Sequence, residues 1–174
     1  MNSLLVTYIL QTEKWTSPEL FETKNRIYTF LNPVSYLIAL ENKSLFEQFD
    51  GIFADGSLLV SAIRLVYGKR VTRRSFDMTS LAPELLNYLM ESRKTLYIVA
   101  SGQEQVECSV RIFQEQYPEL HIAGFRNGYF SSDAEMNKEA SHIVELNPDF
   151  LIVGMGALMQ EKFLLKVKKM GYQG

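Results

Sequence analysis

The chain has 174 residues, of which 47% are hydrophobic and 22% charged, and its 18 Lys and Arg residues nearly balance its 20 Asp and Glu residues. A chain of this length can bury a core as one domain, and its formal charge of -2 gives no general attraction to nucleic acid, so a nucleic-acid partner is not expected. Cys108 is the single cysteine, which excludes an internal disulfide framework and fits a reducing compartment.

The apolar start of the chain, MNSLLVTYIL, has two interpretations. We expect a first strand there, because the segment lacks the basic residues and the small-residue cleavage site of a secretory leader. A signal peptide is the alternative. No apolar run approaches the roughly 20 residues that span a bilayer, so a membrane-spanning protein is not expected.

Strand-like and helix-like segments alternate along the rest of the chain. Runs rich in apolar, β-branched and aromatic residues predict strands at 4–10, 27–31, 51–54, 95–100, 121–125 and 150–153. Helical spacing predicts helices at 34–49, 57–66, 81–92, 103–117, 134–146 and 160–170. Two helix starts carry their own signals, Asn32-Pro33 and the cap residue Ser132.

This alternation predicts an α/β fold, a Rossmann-like and mostly parallel sheet with helices on both faces. In such a sheet, ligands bind where loops leave the carboxyl ends of the strands. No repeat, linker or low-complexity tract divides the chain, so residues 1–174 are expected to form a single domain. The basic segment 69–76 breaks the pattern and is expected to be a loop that borders a site.

The first candidate site is Ala54-Asp55-Gly56, which lies between a predicted strand and an apolar helix. A carboxylate at a strand end can accept a proton, bind a ribose or hold a metal, and Gly56 permits a close approach of the backbone or a positive φ. The alternative is that Asp55 only caps the next helix.

The second candidate is a glycine-rich turn with Gly154 and Gly156, again between a strand and a helix. Backbone N–H groups of such a turn can face a phosphate at a helix N-terminus. The third glycine and the distant acidic residue of a dinucleotide fingerprint are absent, which argues against a nicotinamide-dependent enzyme. Gln160 and Glu161 either bind substrate hydroxyls or simply begin the helix.

The third candidate is Asn127-Gly128-Tyr129, where a predicted strand ends. It is either an ordinary turn or a wall for a nucleobase. His121, His142 and Cys108 match no zinc spacing, and no G-x-S-x-G elbow is present, so neither a metal site nor a serine hydrolase is expected.

Taken in order, these motifs resemble the WecG/TagA/CpsF family of bacterial glycosyltransferases, glycosyltransferase family 26. The resemblance covers about residues 28–165. It is carried by Asn32 in FLNP, Asp55 in ADG, Asp77 in SFDM, the segment 127–130 with sequence NGYF, and GMG followed by Gln160 and Glu161.

The resemblance implies an inverting transferase that moves a sugar from a UDP-sugar to a polyprenyl-diphosphate-linked saccharide, with no cofactor and no required metal. Members contribute to cell-surface polysaccharides such as teichoic acid, capsule and exopolysaccharide. The implied location is cytoplasmic and peripheral, at the inner face of the bacterial plasma membrane. Asp55 becomes the expected catalytic base. The implied substrate-binding residues are Thr29, Asn32, Gly56, Arg73, Asp77, Asn127, Gly128, Tyr129, Gly154, Gly156, Gln160 and Glu161.

The sequence departs from the family pattern at several positions. Phe30 stands where the family usually has threonine, with Thr29 beside it, and Leu158 stands where it usually has proline. The family's usual glycine before the Asp77 position is replaced around Arg74 and Ser75, which leaves a basic pair, Arg73-Arg74. This pair either meets phosphate or lies in a solvated loop. The family's basic, membrane-proximal tail is expected to be missing here.

Two consequences follow from these departures. A catalytically silent nucleotide-sugar-binding or scaffold module is the alternative function, and homo-oligomer formation is a further option. The lysines of the last helix either meet an anionic surface or form a solvated face.

Overall fold

The computed structural model describes residues 4–174. They divide into two compact units, the first ending at Glu84 and the second beginning at Leu85.

The first unit holds a pair of parallel strands among helices. Its elements are α1 (Leu4–Thr12), α2 (Ser17–Glu22), β1 (Tyr28–Leu31), α3 (Pro33–Glu41), α4 (Lys43–Phe46), β2 (Gly51–Ala54) and α5 (Ser57–Tyr67). β1 and β2 pair without a register shift, from Tyr28 opposite Gly51 to Leu31 opposite Ala54. All four residues of β2 are buried, so this strand is covered on both of its faces.

The first element is a helix, so the prediction of a strand at 4–10 is wrong. The buried residues of α1 are Leu5, Val6, Ile9 and Thr12, and this spacing follows one face of a helix. The hydroxyl of Thr12 donates to the carbonyl oxygens of Ile9, at 2.8 Å, and Ile52, at 3.1 Å. Packing of α1 against β2 therefore selects the helix, although the residue types alone suggest a strand.

The helix predicted at 34–49 is divided in two. Asn42 adopts φ -120 and ψ 36 between α3 and α4, and its side-chain amide donates to the carbonyl of Ile38 at 2.9 Å. The short α2 was not predicted. Its start is fixed by Glu19, whose carboxylate accepts from the backbone N–H of Thr16 at 2.7 Å and from its hydroxyl at 2.9 Å.

The second unit contains a three-stranded parallel sheet in the order β4-β3-β5. Its elements are β3 (Thr95–Ala100), α7 (Gln103–Gln116), β4 (His121–Arg126), α8 (Asp133–Leu146), β5 (Phe150–Gly154) and α9 (Met159–Lys169), and α6 (Leu81–Glu91) crosses the boundary between the units. On β3, Tyr97 and Val99 pack with residues of α8 and α9. Leu96 and Ile98 point to the opposite face and are buried too, so the central strand is covered on both sides.

The α/β class with parallel strands is confirmed, and five of the six predicted strands are present within a residue of their predicted bounds. The described strands form two sheets, whereas the sequence suggested one. No helix within residues 4–174 combines the length and the apolar character that a bilayer crossing requires.

Candidate active site

Asn32 and Asp55 leave the two strands of the first unit at the same edge. Leu31 and Ala54 form the last pair of the β1–β2 ladder, and the backbone N–H of Asp55 extends it by donating to the carbonyl of Leu31 at 2.8 Å. Parallel strands present their carboxyl ends at one edge of a sheet, which is where ligands of α/β folds bind. The structure therefore brings these two predicted site residues together.

Asp55 does not cap the following helix. Gly56 occupies the N-cap of α5 with φ 88 and ψ 138, and no side chain caps this helix. The interpretation of Asp55 as a helix cap is therefore wrong. Its carboxylate is about one-third exposed, at 34%, and lies 3.8 Å from the Nη2 atom of Arg73. A partly exposed carboxylate with one distant cationic neighbour is accessible to a substrate.

Asp77 also contacts Arg73, but its carboxylate is occupied by hydrogen bonds within its own loop. Arg73 Nη2 lies 2.6 Å from Asp77 and 2.9 Å from the hydroxyl of Ser75. The hydroxyl of Ser75 donates to Asp77, and Thr79 donates both its backbone N–H, at 2.8 Å, and its hydroxyl, at 2.7 Å. These bonds, led by that from Ser75, hold the pKa of Asp77 well below its usual range. Asp77 is thus stabilised as an anion and anchors Arg73.

Asn32 caps α3 with its side-chain oxygen. That oxygen accepts from the backbone N–H groups of Val34, at 3.0 Å, and Ser35, at 2.9 Å, while the Ser35 hydroxyl accepts from the N–H of Asn32 at 2.8 Å. Pro33 occupies the first helical position, as the Asn-Pro signal predicts. The oxygen is used within the protein, whereas the amide NH₂ of this exposed residue makes no hydrogen bond with residues 4–174 and is available to a ligand.

Thr29 is not at the carboxyl edge. It is 3% exposed within β1, and alternation along the strand places it on the face opposite Phe30. Phe30 stacks on Phe53, with ring centroids 5.2 Å apart, and contacts Phe76. The side chain of Thr29 therefore does not occupy the position of the threonine that the family usually has at residue 30. A contact between Thr29 and the substrate stays a prediction.

The second unit has its own carboxyl edge, which its backbone ties together. The N–H of Gly128 donates to the carbonyl of Ser101 at 2.8 Å, and the N–H of Ser101 donates to the carbonyl of Gly154 at 3.0 Å. A Cβ at Gly128 would lie 2.9 Å from Cγ of Met155. Glycine is required at 128 because the turns after β4 and β5 approach so closely.

Tyr129 projects from a turn that polar side chains hold in place. The Asn127 oxygen accepts from the N–H of Tyr129 at 2.9 Å, and the Asn127 amide donates to Gln103 at 3.0 Å. Arg126 donates to the carbonyl oxygens of Asn127 and Tyr129 and contacts Glu135 at 3.1 Å. The ring of Tyr129 is 75% exposed. A fixed turn that presents an exposed aromatic ring suits the stacking of a nucleobase.

The turn before α9 is organised by Glu161. This residue is 1% exposed, and its carboxylate accepts from the backbone N–H of Leu158 at 2.6 Å and from the Gln160 amide at 3.0 Å. Glu161 thus holds the turn from inside. Gly156 has φ 88 and Leu158 has φ 72. Proline is restricted to a φ of about -65°, so the family's usual proline would require a different turn at position 158.

Sequence reasoning missed several residues that position the candidates, namely Ser75, Thr79, Gln103 and Arg126. The pattern Ser-x-Asp-x-Thr around Asp77 is a signal that could have identified two of them, because hydroxyl residues that flank an aspartate often bond to it in a turn. Among residues 4–174, no group of three or more His, Cys, Asp and Glu side chains could hold a metal ion.

Comparison with known proteins gives several relatives. The chain is 31% identical over 142 residues to a Shigella boydii protein named UDP-Gal:alpha-D-GlcNAc-diphosphoundecaprenol beta-1,4-galactosyltransferase, an overlap that covers 82% of this chain and 59% of the relative. It is 24% identical over 168 residues to an N-acetylglucosaminyldiphosphoundecaprenol N-acetyl-beta-D-mannosaminyltransferase of Bacillus subtilis (strain 168), covering 94% of this chain and 62% of the relative. A Staphylococcus aureus (strain NCTC 8325 / PS 47) protein of the same name as the Bacillus relative is 25% identical, covering 82% of this chain and 56% of its own length.

The chain therefore spans about three-fifths of the length of these relatives, 59% and 62% for the first two. A family model extends further along the chain, from residue 9 to residue 172, and so includes residues of both units. Such an extensive match shows that the chain belongs to the glycosyl transferase WecG/TagA/CpsF family.

Proposed function

We propose that this protein transfers a sugar from a UDP-sugar to a saccharide linked to polyprenyl diphosphate, with inversion at the anomeric carbon. The observation that carries the proposal is Asp55, a partly exposed carboxylate at the carboxyl end of β2 in a chain that matches the family from residue 9 to residue 172. The proposal treats residues 1–174 as one functional domain, because the family match includes residues of both compact units.

Asp55 is the proposed general base. Inversion requires the acceptor hydroxyl to attack the anomeric carbon from the face opposite the departing UDP. In this step Asp55 takes the proton from the hydroxyl, the hydroxyl oxygen bonds to the anomeric carbon, and the bond between that carbon and the diphosphate oxygen breaks. The electron pair of that bond leaves with UDP. Asp77 is less suited to be the base because its hydrogen bonds stabilise the charged form.

The negative charge on the departing diphosphate must be stabilised by cations or by hydrogen-bond donors. Arg73 can supply a guanidinium in the first unit, because Asp77 holds it and its side chain is 39% exposed. The second unit, taken by itself, has backbone N–H groups in the turn at Gly154 and Gly156 and in the first turn of α9 that suit a phosphate. Tyr129 is the proposed stacking surface for the uracil ring, with Asn127 and Gly128 fixing the turn that presents it.

The acceptor is proposed to be N-acetylglucosamine linked to undecaprenyl diphosphate or a similar lipid. The Shigella and Bacillus relatives have different transferred sugars in their names but share this acceptor. The product would be a lipid-linked precursor of a cell-surface polysaccharide such as a teichoic acid, a capsule or an exopolysaccharide. A lipid-linked acceptor requires the protein to work at the cytoplasmic surface of the plasma membrane.

Release of UDP tests the proposal. The full chain is incubated with the lipid-linked acceptor and with UDP-galactose or UDP-N-acetylmannosamine, and UDP formation and the anomeric configuration of the product are measured. We expect an inverted product with at least one donor. Asp55→Asn should reduce kcat by about 10²- to 10⁴-fold, because it removes the base and preserves the side-chain shape, and should leave the Kd for UDP unchanged.

Asp133→Asn is the matched control, because Asp133 is an exposed residue in the first turn of α8 and lies outside the candidate site. It should retain turnover. Normal turnover in Asp55→Asn would remove Asp55 from the mechanism. Binding of UDP with no transfer to any acceptor would instead favour a catalytically silent nucleotide-sugar-binding module.

A further inference from the structure

Helix α5 exposes an apolar stripe that no described part of the chain covers. Leu58 is 68% exposed, Leu65 87% and Val66 69%, and Ala62 between them is exposed as well. At about 100° per residue, these four side chains fall within about 100° around the helix. The adjoining side of α5 buries Leu59 and Ile63, so the helix is already anchored to its unit. We call the four exposed residues, Leu58, Ala62, Leu65 and Val66, the α5 face.

The segment that contains the α5 face is also the most basic part of the chain. Residues 57–74 contain five of the 18 Lys and Arg residues and none of the 20 Asp and Glu residues. The whole chain has a formal charge of -2, so positive charge is concentrated beside the apolar stripe although the protein as a whole is slightly acidic.

Three of these five cations have no partner within residues 4–174. Arg73 pairs with acidic residues of the candidate site, and Arg74 lies over the ring of Phe53, with its Cζ atom 5.7 Å from the ring centroid. Arg64, Lys69 and Arg70 are exposed, and their side chains make no ion pair or hydrogen bond with the described residues. Arg64 lies about 100° around the helix from Leu65, the nearest residue of the stripe, whereas the other two follow directly after the helix end at Gly68.

We propose that the α5 face, together with Lys69 and Arg70, docks on the surface of an anionic lipid bilayer. Exposed leucine and valine side chains next to basic residues match the two layers of such a surface, the acyl-chain boundary and the negatively charged headgroups. The apolar side chains enter the boundary region, and the two basic side chains contact lipid phosphates.

Charge distribution favours the bilayer over a second copy of this chain. A two-fold interface on the α5 face would place the same patch of both copies in contact, and would bring Lys69 and Arg70 near their own counterparts. Juxtaposed like charges oppose such an interface. An anionic membrane neutralises the same cations while it covers the apolar residues.

The inference names a partner for the proposed function, and it rests on that function because a lipid-linked acceptor places the reaction at a membrane. The candidate base, Asp55, is the first residue after β2, and α5 begins two residues later, at Ser57. Docking through α5 would therefore bring the carboxyl edge of the first unit close to the membrane surface.

Flotation with lipid vesicles tests the inference without substrate or turnover. The full chain is mixed with vesicles of phosphatidylcholine alone, or of phosphatidylcholine and phosphatidylglycerol in equal parts. We expect binding to the mixed vesicles and at least about tenfold weaker binding to the neutral ones. Leu58→Ser/Leu65→Ser and Lys69→Gln/Arg70→Gln should each weaken binding to the mixed vesicles by about tenfold or more.

The controls change exposed residues of the same types in the second unit. Ile112→Ser and Arg111→Gln/Lys138→Gln should bind mixed vesicles as the unaltered chain does, because these residues lie on α7 and α8. Circular dichroism checks that every variant retains its helices. Asp55→Asn should also bind normally, so loss of transfer and loss of docking are distinguishable.

Three outcomes would overturn the inference. The first is an absence of binding to mixed vesicles, and the second is equal binding of the α5 variants and the controls. The third is a dimer in sedimentation velocity that Leu58→Ser/Leu65→Ser abolishes while vesicle binding is unchanged. That result would assign the α5 face to a second copy of the chain.

Discussion

Asp55 and Asp77 share the guanidinium of Arg73 but differ in what else they contact. Asp77 accepts hydrogen bonds from Ser75 and Thr79, which leaves it little capacity to take a proton. Within residues 4–174, the carboxylate of Asp55 has only the 3.8 Å contact with Arg73. Their environments therefore make Asp77 the anchor of Arg73 and support the proposal that Asp55 is the base.

Removal of the Asp77 charge should loosen Arg73 and leave the candidate base in place. We expect Asp77→Asn to lower kcat by about tenfold or more, because a cation that helps hold the leaving group is no longer positioned. Arg73→Lys should cause a similar loss. The guanidinium contacts Ser75 and Asp77 through Nη2 and keeps its other N–H groups for a diphosphate, which a single ammonium cannot do. Steady-state kinetics with UDP-binding calorimetry measure both. Turnover in Asp77→Asn equal to that of Asp133→Asn would contradict the anchoring role.

Asn32 combines two roles that substitution can separate. Asn32→Ala removes the helix cap and should lower the free energy of unfolding by about 1 kcal/mol. Asn32→Asp keeps an acceptor at the N-terminus of α3, where a negative charge is favourable, and should be nearly neutral for stability. Both variants lack the amide donor, so both should lose turnover if that amide binds substrate. Chemical denaturation and kinetics test this pair, and full activity in Asn32→Asp would exclude a substrate contact of the amide.

Gly124 of strand β4 lies directly against the ring of Tyr97 on the neighbouring strand β3. A Cβ at Gly124 would lie 2.5 Å from Cε2 of Tyr97, and the β3–β4 register shifts between Leu96 and Tyr97. The Tyr97 ring cannot easily move away, because it is 4% exposed and its hydroxyl donates to Glu139 at 2.7 Å. Glycine at 124 is therefore a packing requirement of the second unit.

Gly124→Ala should destabilise the protein by about 1–3 kcal/mol, the usual cost of overpacking. Combination with Tyr97→Leu should recover part of that loss, because the smaller side chain vacates the space of the new methyl group. Urea denaturation of the two single variants and the double variant gives the coupling free energy between the two substitutions. Additive losses would show that the ring of Tyr97 is not what excludes alanine.

Acid should lower the stability of the folded protein, because protonation disrupts the hydrogen bonds that carboxylates accept in the folded state. Hydrogen bonds from Ser131, with a smaller contribution from Arg126, lower the pKa of Glu135 from 4.5 to about 2. A carboxylate with a depressed folded pKa contributes stability above its unfolded pKa, and that contribution is lost as the pH falls toward the folded pKa. Glu135 therefore loses its stabilising contribution as the pH falls from about 4.5 to about 2.

Glu135→Gln should therefore be less stable than the unaltered chain at neutral pH, and the gap should narrow at about pH 3. Thermal unfolding followed by circular dichroism at both pH values measures the gap. Asp133→Asn provides the control, because this neighbour is exposed and should show no comparable change. A gap that stays constant on acidification would show that Glu135 makes no such bonds in solution.

Local sequence was sufficient for the features that local chemistry decides. It placed the strands before Asp55, Asn127 and Gly154, and it identified Asn32-Pro33 and Ser132 as helix starts. Turn residues, proline and cap residues act within a few positions of themselves, so their effect can be predicted without knowledge of distant contacts.

Contacts between distant segments decided the rest. Residues 4–12 form a helix because α1 packs on β2, although the residue types favour a strand. The pairing of strands into two sheets, the shared contact of Asp55 and Asp77 with Arg73, and the uncovered α5 face likewise depend on the folded chain. Sequence by itself determined an α/β chain of this family. Only the tertiary structure decided which carboxylate accepts hydrogen bonds from its neighbours and which does not, because such bonds depend on which side chains meet in space.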